Sequence, residues 1–280
     1  MRSEFTVDQL VNVSREDFEQ TLRDFQQLDD YAMEGYAGPT AQRDLSVRFR
    51  WGHNHDFGTF AIEGEMQNRH LWLLSTFIDE FGLTLPLNGR RVLDIGPWTG
   101  GTSLLLHALG AQVVAIEEVR KYAQALQYLA NAFGLDNLTV INRSLFECVD
   151  DDFQDTFDLV LFTGVLYHVS DPIVALRHTF NALRDGGICL IETYAIDNPE
   201  PVLLYEGANV FAAGTLEARN RVGWNWFRPS PAALAAMLSD VGFAESRIGH
   251  VTRDNRLLAI ARRDRHRDML RAGLSVPGLR

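Results

Sequence analysis

Val92-Leu93-Asp94-Ile95-Gly96-Pro97-Trp98-Thr99-Gly100-Gly101 joins a short apolar run to a glycine-rich turn, and from Thr102 the chain continues as an amphipathic stretch. A strand that runs through such a turn into a helix is the opening unit of an open α/β sheet. In these sheets a nucleotide-like ligand lies at the carboxyl ends of the strands, and the backbone of the first turn must approach it closely. Short β-branched runs and amphipathic stretches then alternate along the chain. They predict strands at Arg91 to Ile95, Gln112 to Glu117, Leu138 to Asn142, Phe157 to Thr163 and Gly187 to Thr193. Helices are predicted at Thr102 to Leu109, Val119 to Phe133 and Pro172 to Leu183, each closed by glycine or a polar turn. The expected class is α/β and Rossmann-like: a seven-stranded, mostly parallel sheet with helices on both faces.

Beyond the fifth strand, Tyr194 to Arg228 is too long for a simple loop in a compact domain and is expected to serve function. Ser230-Pro231 then opens a helix through Val241, with serine as the cap, proline at the first helical position and Gly242 as the stop. Glu245 to Val251 and Arg256 to Ala261 flank Asp254-Asn255 as a terminal hairpin. Upstream, Phe18, Leu22, Phe25 and Leu28 recur at helical spacing within Asp17 to Tyr31. Residues 32 to 65 hold many aromatics and glycines but no clear element. The expected organisation is an N-terminal helical or lid extension over residues 1–65, a domain over 66–264 with a substrate-side insertion at 194–228, and a tail at 265–280.

Composition narrows the function classes. With 46% hydrophobic and 22% charged residues the chain has a globular composition, and no apolar run approaches the ~20 residues needed to cross a bilayer. The first residues are acidic too early for a secretion signal, and two cysteines, Cys148 and Cys189, are too few for a disulfide framework or a four-thiolate zinc site. A cytoplasmic location is expected. The formal net charge of −11 argues against nucleic acid as partner, because such binding draws most of its affinity from Lys and Arg neutralising phosphates. The basic run Arg262-Arg263-Asp264-Arg265-His266-Arg267 reads as a solvated terminus.

The turn also speaks to the cofactor. Asp94-x-Gly96-x-x-x-Gly100 lacks the Gly-x-Gly-x-x-Gly of a dinucleotide site, and an acid two residues before the first glycine favours S-adenosylmethionine over NAD. Asp94 is expected near the methionine amino group, and Glu117, at the end of the next strand, at the ribose hydroxyls. Pro97, Trp98, Ser144, Leu145, Thr163 and Gly164 complete the expected cofactor set. Trp98 stands where a glycine is usual and either covers the turn or offers its face to the sulfonium charge.

Phe157-Asp158-Leu159-Val160-Leu161-Phe162-Thr163-Gly164-Val165-Leu166-Tyr167-His168-Val169-Ser170-Asp171-Pro172 resembles the fourth strand and following loop of class I methyltransferases related to the bacterial tRNA wobble-uridine carboxymethyltransferase. The likeness extends through Gly186 to Thr193 with Ile196-Asp197, and resumes at Trp226-Phe227-Arg228-Pro229-Ser230 and Val241-Gly242-Phe243. It implies the class I methyltransferase fold and a donor of the S-adenosylmethionine type. That family's best-known member reads a carboxylated donor with a Lys, a Tyr and an Arg. Tyr167 matches the Tyr, Asn54 or His55 stands at the Lys position, and Arg221 and Arg228 are near the place of the Arg without matching it. A missing fixed cation favours ordinary S-adenosylmethionine, because charge-assisted pairs are about twice as strong as neutral ones.

Methyl transfer is an in-line displacement, so the protein has to align the acceptor and, for a hydroxyl, take its proton. Tyr167 and His168, one turn past the fourth strand, are the candidate catalytic pair, with His168 either a general base or a helix-start hydrogen-bonding group. Tyr31, Trp51, His55, Trp226 and Arg228, together with Tyr167, are the candidate acceptor-binding residues, and the arginines of the insertion favour an anionic acceptor. His53 and His55 invite a metal reading that no predicted element supports, and no metal is expected. The leading expectation is methyl transfer to a small-molecule acceptor, at oxygen first, with sulfur and nitrogen open. A tRNA-modifying enzyme and a non-catalytic cofactor-binding protein are the alternatives.

Overall fold

The structure, a computed structural model, describes residues 5–27, 49–207, 225–264 and 272–276. Its strands are β1 (His55–Asp56), β2 (Ala61–Ile62), β3 (Arg91–Ile95), β4 (Gln112–Ile116), β5 (Leu138–Ile141), β6 (Phe157–Thr163), β7 (Leu183–Tyr194), β8 (Leu203–Tyr205), β9 (Phe227–Pro229), β10 (Phe243–Ile248) and β11 (Arg256–Arg263). Its helices are α1 (Arg15–Gln26), α2 (Arg69–Asp79), α3 (Gly101–Ala108), α4 (Arg120–Ala132), α5 (Pro172–Ala182) and α6 (Pro231–Val241). Seven strands form one sheet in the order β10-β11-β7-β6-β3-β4-β5. The pairs β3–β6, β6–β7 and β4–β5 are parallel, whereas β11 runs antiparallel to both β7 and β10. This is the expected Rossmann-like class I methyltransferase architecture, with crossover helices between the parallel strands.

The chain divides into two compact units, Met1–Arg90 with Pro97–Arg143, and Arg91–Gly96 with Ser144–Arg280. The first holds β4, β5 and helices α1 to α4. Helix α1 starts where Ser14 accepts a hydrogen bond from the Asp17 amide at 3.1 Å, and it buries Phe18 and Leu22, four residues apart on one face. The Phe18 ring meets Phe57 edge-on at 5.2 Å and stacks with Tyr128 at 6.0 Å. The N-terminal residues therefore share an aromatic core with α4.

The second unit holds β3, β6, β7, β10 and β11, with α5 and α6 packed on them. Phe157–Thr163 and the Cys189–Thr193 part of β7 bury most of their side chains, as parallel strands covered on both faces do. Ser230, Pro231 and Gly242 close the ends of α6 as the sequence predicts, with the Ala233 amide donating to Ser230 Oγ at 3.1 Å.

Several elements depart from expectation. The fifth predicted strand begins not at Gly187 but at Leu183, because Leu183 pairs with Phe157 ahead of a register shift, and Gly186, at φ +76°, turns the backbone between the two registers. Helix α2 was not expected, although Asn68 at its N-cap is a residue type that starts helices; its side chain makes no capping bond. The insertion contributes an antiparallel ribbon, β8–β9, in the register Leu203↔Pro229, Leu204↔Arg228, Tyr205↔Phe227. The expected helix ends at Gln26 among the described residues.

Candidate functional site

The first strand-to-helix turn is built as a close-approach loop. Gly96 has φ +67°, and a Cβ there would lie 2.7 Å from Val165 Cγ2. Only glycine satisfies both the left-handed backbone and the contact. In the second unit Asp94 is 1% exposed at the end of β3, in register with Leu161 of β6. Past the boundary, in the first unit, Gly100 at φ +88° caps α3, whose first turn presents backbone N–H groups as helix N-termini do.

Glu117, just past β4, is buried with its carboxylate fixed from two sides: Oε2 accepts from the Trp98 amide at 3.0 Å and Oε1 from the Val119 amide at 2.9 Å. This carboxylate is thus oriented by backbone. Trp98 takes φ +57°, a left-handed conformation uncommon for an indole-bearing residue. Its ring lies against Gly52, where a Cβ would come within 2.5 Å of it, and edge-on to Tyr122 at 6.0 Å. Burial pushes the Tyr122 hydroxyl well above its ordinary value. Trp98 thus packs within its own unit as a cover on the turn. Pro97 is buried and its carbonyl accepts from the Gly100 amide, which closes the loop.

The second unit holds the remaining donor-side residues. Ser144 opens the turn Leu145–Glu147 in a reciprocal cap with Glu147, and Leu145 is buried. Thr163 ends β6 in register with Glu192, and the Gly164 amide, at φ +75°, donates to the Glu192 carbonyl at 3.0 Å.

Around Gly164 the structure assembles a group that spacing did not reveal. Arg256 Nη1 donates to the Tyr167 hydroxyl at 3.2 Å and forms an ion pair with Glu192 Oε1 at 3.2 Å. A Cβ placed on Gly164 would lie 4.0 Å from both Glu192 Oε2 and Tyr167 Oη, so both polar ends face the terminus of β6. Burial works against the Arg256 charge, but Tyr167 and Glu192 outweigh it and hold the guanidinium protonated more firmly than usual. Arg256 comes from β11, 89 residues beyond Tyr167, and no sequence expectation singled it out.

His168 follows Tyr167 in a short 3-10 turn, and the two ring centroids are 4.0 Å apart. Its amide donates to the Val165 carbonyl at 2.8 Å. Trp226 joins the same group through its backbone, its N–H donating to the Tyr167 carbonyl at 2.7 Å. The Arg228 guanidinium lies over the Tyr194 ring at 4.3 Å and forms an ion pair with Glu206.

Two further expected acceptor residues belong to the first unit. Trp51 and His55 are buried in the first unit, with the His55 ring stacked on Phe57 and edge-on to Trp51. Burial pushes His55 down to about 3 and His70 to about 4, and holds His53 well below its ordinary value with His70 and His55 adding to the effect. These neutral rings belong to the aromatic core; among the described residues no group of His, Cys, Asp and Glu is arranged to hold a metal ion. Asn54 Oδ1 accepts from the Gly64 amide at 2.9 Å and braces a loop of that unit. Tyr31 and Arg221 lie outside the described residues. No helix among the described residues is long and apolar enough to cross a membrane.

Comparison with known proteins bears on this geometry. Curated tRNA U34 carboxymethyltransferases are similar: that of Alteromonas mediterranea is 31% identical over 178 residues, 60% of this chain and 50% of that protein. That of Pseudoalteromonas translucida is 32% identical over 193 residues, 69% of this chain and 55% of that protein. The chain thus spans about half the length of the curated relatives it matches. Among solved structures, the N-terminal domain of EvdMO1, crystallised in the presence of SAH and D-fucose, has a TM-score of 0.58 at 17% identity, covering 90% of this chain and 97% of that one. An S-adenosylmethionine-dependent methyltransferase from Mesorhizobium loti has a TM-score of 0.52 at 18% identity, covering 68% of this chain and 98% of that one. These likenesses show the fold. Residues 66–245 match the model of a family described as a methyltransferase domain, and the chain belongs to that family.

Proposed function

We propose that the protein transfers a methyl group from S-adenosylmethionine to an oxygen of a small-molecule acceptor. The observation that carries this reading is the group at the end of β6: Tyr167 Oη and Glu192 Oε2 converge on Gly164 while Arg256 holds both. The residues of the expected cofactor set suit such a donor, each within its own unit. In the second unit Asp94 is a buried carboxylate, the group type that takes an ammonium, and Gly96 leaves room where any side chain would clash; in the first, Glu117 is a buried carboxylate held by two backbone amides, the group type that takes a diol. When bound, the donor supplies a methyl carbon activated by its sulfonium, so a C–O bond forms as the S–C bond breaks.

The protein's own residues then align the acceptor and receive its proton. Because Tyr167 Oη already accepts from Arg256, its O–H points away as a donor suited to orienting the acceptor oxygen, and His168 takes the hydroxyl proton. His168→Ala should lower kcat by about 10²- to 10⁴-fold and remove the acid limb of the pH profile. Tyr167→Phe should mainly raise KM. An unchanged pH profile in the His168 variant would remove that residue from the chemistry.

The choice between ordinary and carboxylated donor now turns on Glu192. Arg256 supplies a cation beside Tyr167, but the buried Glu192 carboxylate already balances it, so an added donor carboxylate meets no net positive charge and gives up hydration. Ordinary S-adenosylmethionine should therefore bind at least as tightly. Competition calorimetry decides the matter: displacement of S-adenosylmethionine by substoichiometric carboxylated donor would restore the tRNA-directed reading that the named relatives suggest.

A further inference from the structure

Among the described residues, the acceptor side of the second unit carries two arginines, and both are already neutralised. Arg256 is paired with Glu192, and Arg228 with Glu206, whose other oxygen accepts from Asn225 Nδ2 at 3.1 Å. Alternation along a strand places Leu204 and Arg228 on one face of the β8–β9 ribbon, cross-strand partners in its register, and Leu203, Tyr205 and Phe227 on the other. The Arg228 face is the one turned to Tyr194, whose ring lies 4.3 Å from that guanidinium and 4.8 Å from Arg256. On it Leu204 remains 44% exposed across from the compensated Arg228, as Leu203 and Tyr205 remain exposed on the other face.

We propose that this face is the acceptor-binding wall and that it selects a neutral hydroxyl compound with a planar apolar body. The inference rests on the methyl-transfer reading above and names the acceptor class for that same site. An anionic acceptor gains nothing from an arginine whose charge is spent on a buried carboxylate, and it would face Glu206 and Glu192 at close range. A planar apolar body gains by covering Leu204 and lying against the Tyr194 ring. Of the arginines that suggested an anionic acceptor, Arg228 is thus compensated by Glu206, and Arg219 and Arg221 lie outside the described residues.

The test uses the full-length protein with 2-naphthol and 6-hydroxy-2-naphthoate, two probes that differ only in a carboxylate. Binding is followed by naphthol fluorescence with S-adenosylhomocysteine present, and methyl transfer separately with S-adenosylmethionine. 2-Naphthol should bind about tenfold more tightly than the naphthoate. Leu204→Ser should weaken 2-naphthol by roughly threefold to tenfold, with thermal stability little changed because the side chain is exposed. Glu206→Gln should uncover Arg228 and move the preference toward the naphthoate. Tighter binding of the naphthoate by the unaltered protein, no binding of 2-naphthol, or indifference of both probes to Leu204→Ser and Glu206→Gln would overturn the proposal. Binding of 2-naphthol without methyl transfer would sink the methyl-transfer reading and leave standing only the preference of this face for a neutral apolar ligand, whereas transfer to both probes at equal efficiency would overturn that preference and leave methyl transfer standing.

Discussion

Single residues in this protein carry costs that name their purpose. Gly96 is the sharpest case: a side chain there meets both a left-handed backbone and Val165 Cγ2 at 2.7 Å. Gly96→Ala should destabilise the protein by about 1–3 kcal/mol and weaken donor binding. Adding Val165→Ala should recover the steric part but not the backbone part, a split that denaturant titration of the single and double variants can read. Glu117→Gln should weaken S-adenosylmethionine more than Glu118→Gln, since Glu117 is the side chain held by the Trp98 and Val119 amides; the reverse order in calorimetry would shift the ribose contact by one residue. His53, His55 and His70, buried in the first unit, make a pH prediction. Their folded values lie below the unfolded ~6.5, so the unfolded chain binds more protons as pH falls, and the stability they confer is complete above that value and lost on the way down toward about 4 for His70 and about 3 for His55. Each contributes a slope of up to ~1.4 kcal/mol per pH unit. His55→Phe, which keeps a ring against Phe57, should reduce the acid-side slope by about one proton; an unaltered slope would show that His55 titrates normally. None of this was legible from residue type, because a histidine in an aromatic-rich stretch reads equally as a ligand, a lid or a core residue until burial is known.

Elements were more legible than residues. β3 and β6 have their predicted bounds, and the sequence signs of α6, serine, proline and glycine at its ends, all have the roles expected of them. Such signals are local: capping and periodicity act within one or two turns of chain. Ser230 also does something no local rule predicts. Its hydroxyl donates to the Glu200 carbonyl at 2.6 Å and accepts from the Val202 amide at 3.2 Å, so one buried side chain both starts α6 and anchors the segment entering β8. Ser230→Ala should therefore cost about 1–3 kcal/mol, at or above the usual loss of a cap. Amide exchange should accelerate at Val202 as well as Ala233. Acceleration at Ala233 alone would mean that the ribbon is held independently. The extra length of β7 escaped prediction because a register shift depends on the partner strand.

At the scale of the whole molecule, a ligand that binds only the folded state raises its stability by mass action. S-adenosylmethionine at a hundred times its dissociation constant should add ~2.7 kcal/mol, seen as a rise in Tm by scanning calorimetry, and NAD at the same concentration should add none. A shift with NAD instead would overturn the reading of the glycine turn. The fold class follows from the sequence alone, because alternating periodicities and the Asp94-x-Gly96 turn are properties of neighbouring residues. The chemistry at Gly164 does not. Tyr167 came from β6's end, Glu192 from β7 and Arg256 from β11, and the sheet brings them within hydrogen-bond reach only because β11 inserts antiparallel beside β7. The sequence determined which strands and turns exist, since those obey short-range sterics and hydrogen bonding; only the tertiary structure decided which charges cancel, because cancellation depends on distances of a few ångströms between residues that the chain itself keeps far apart.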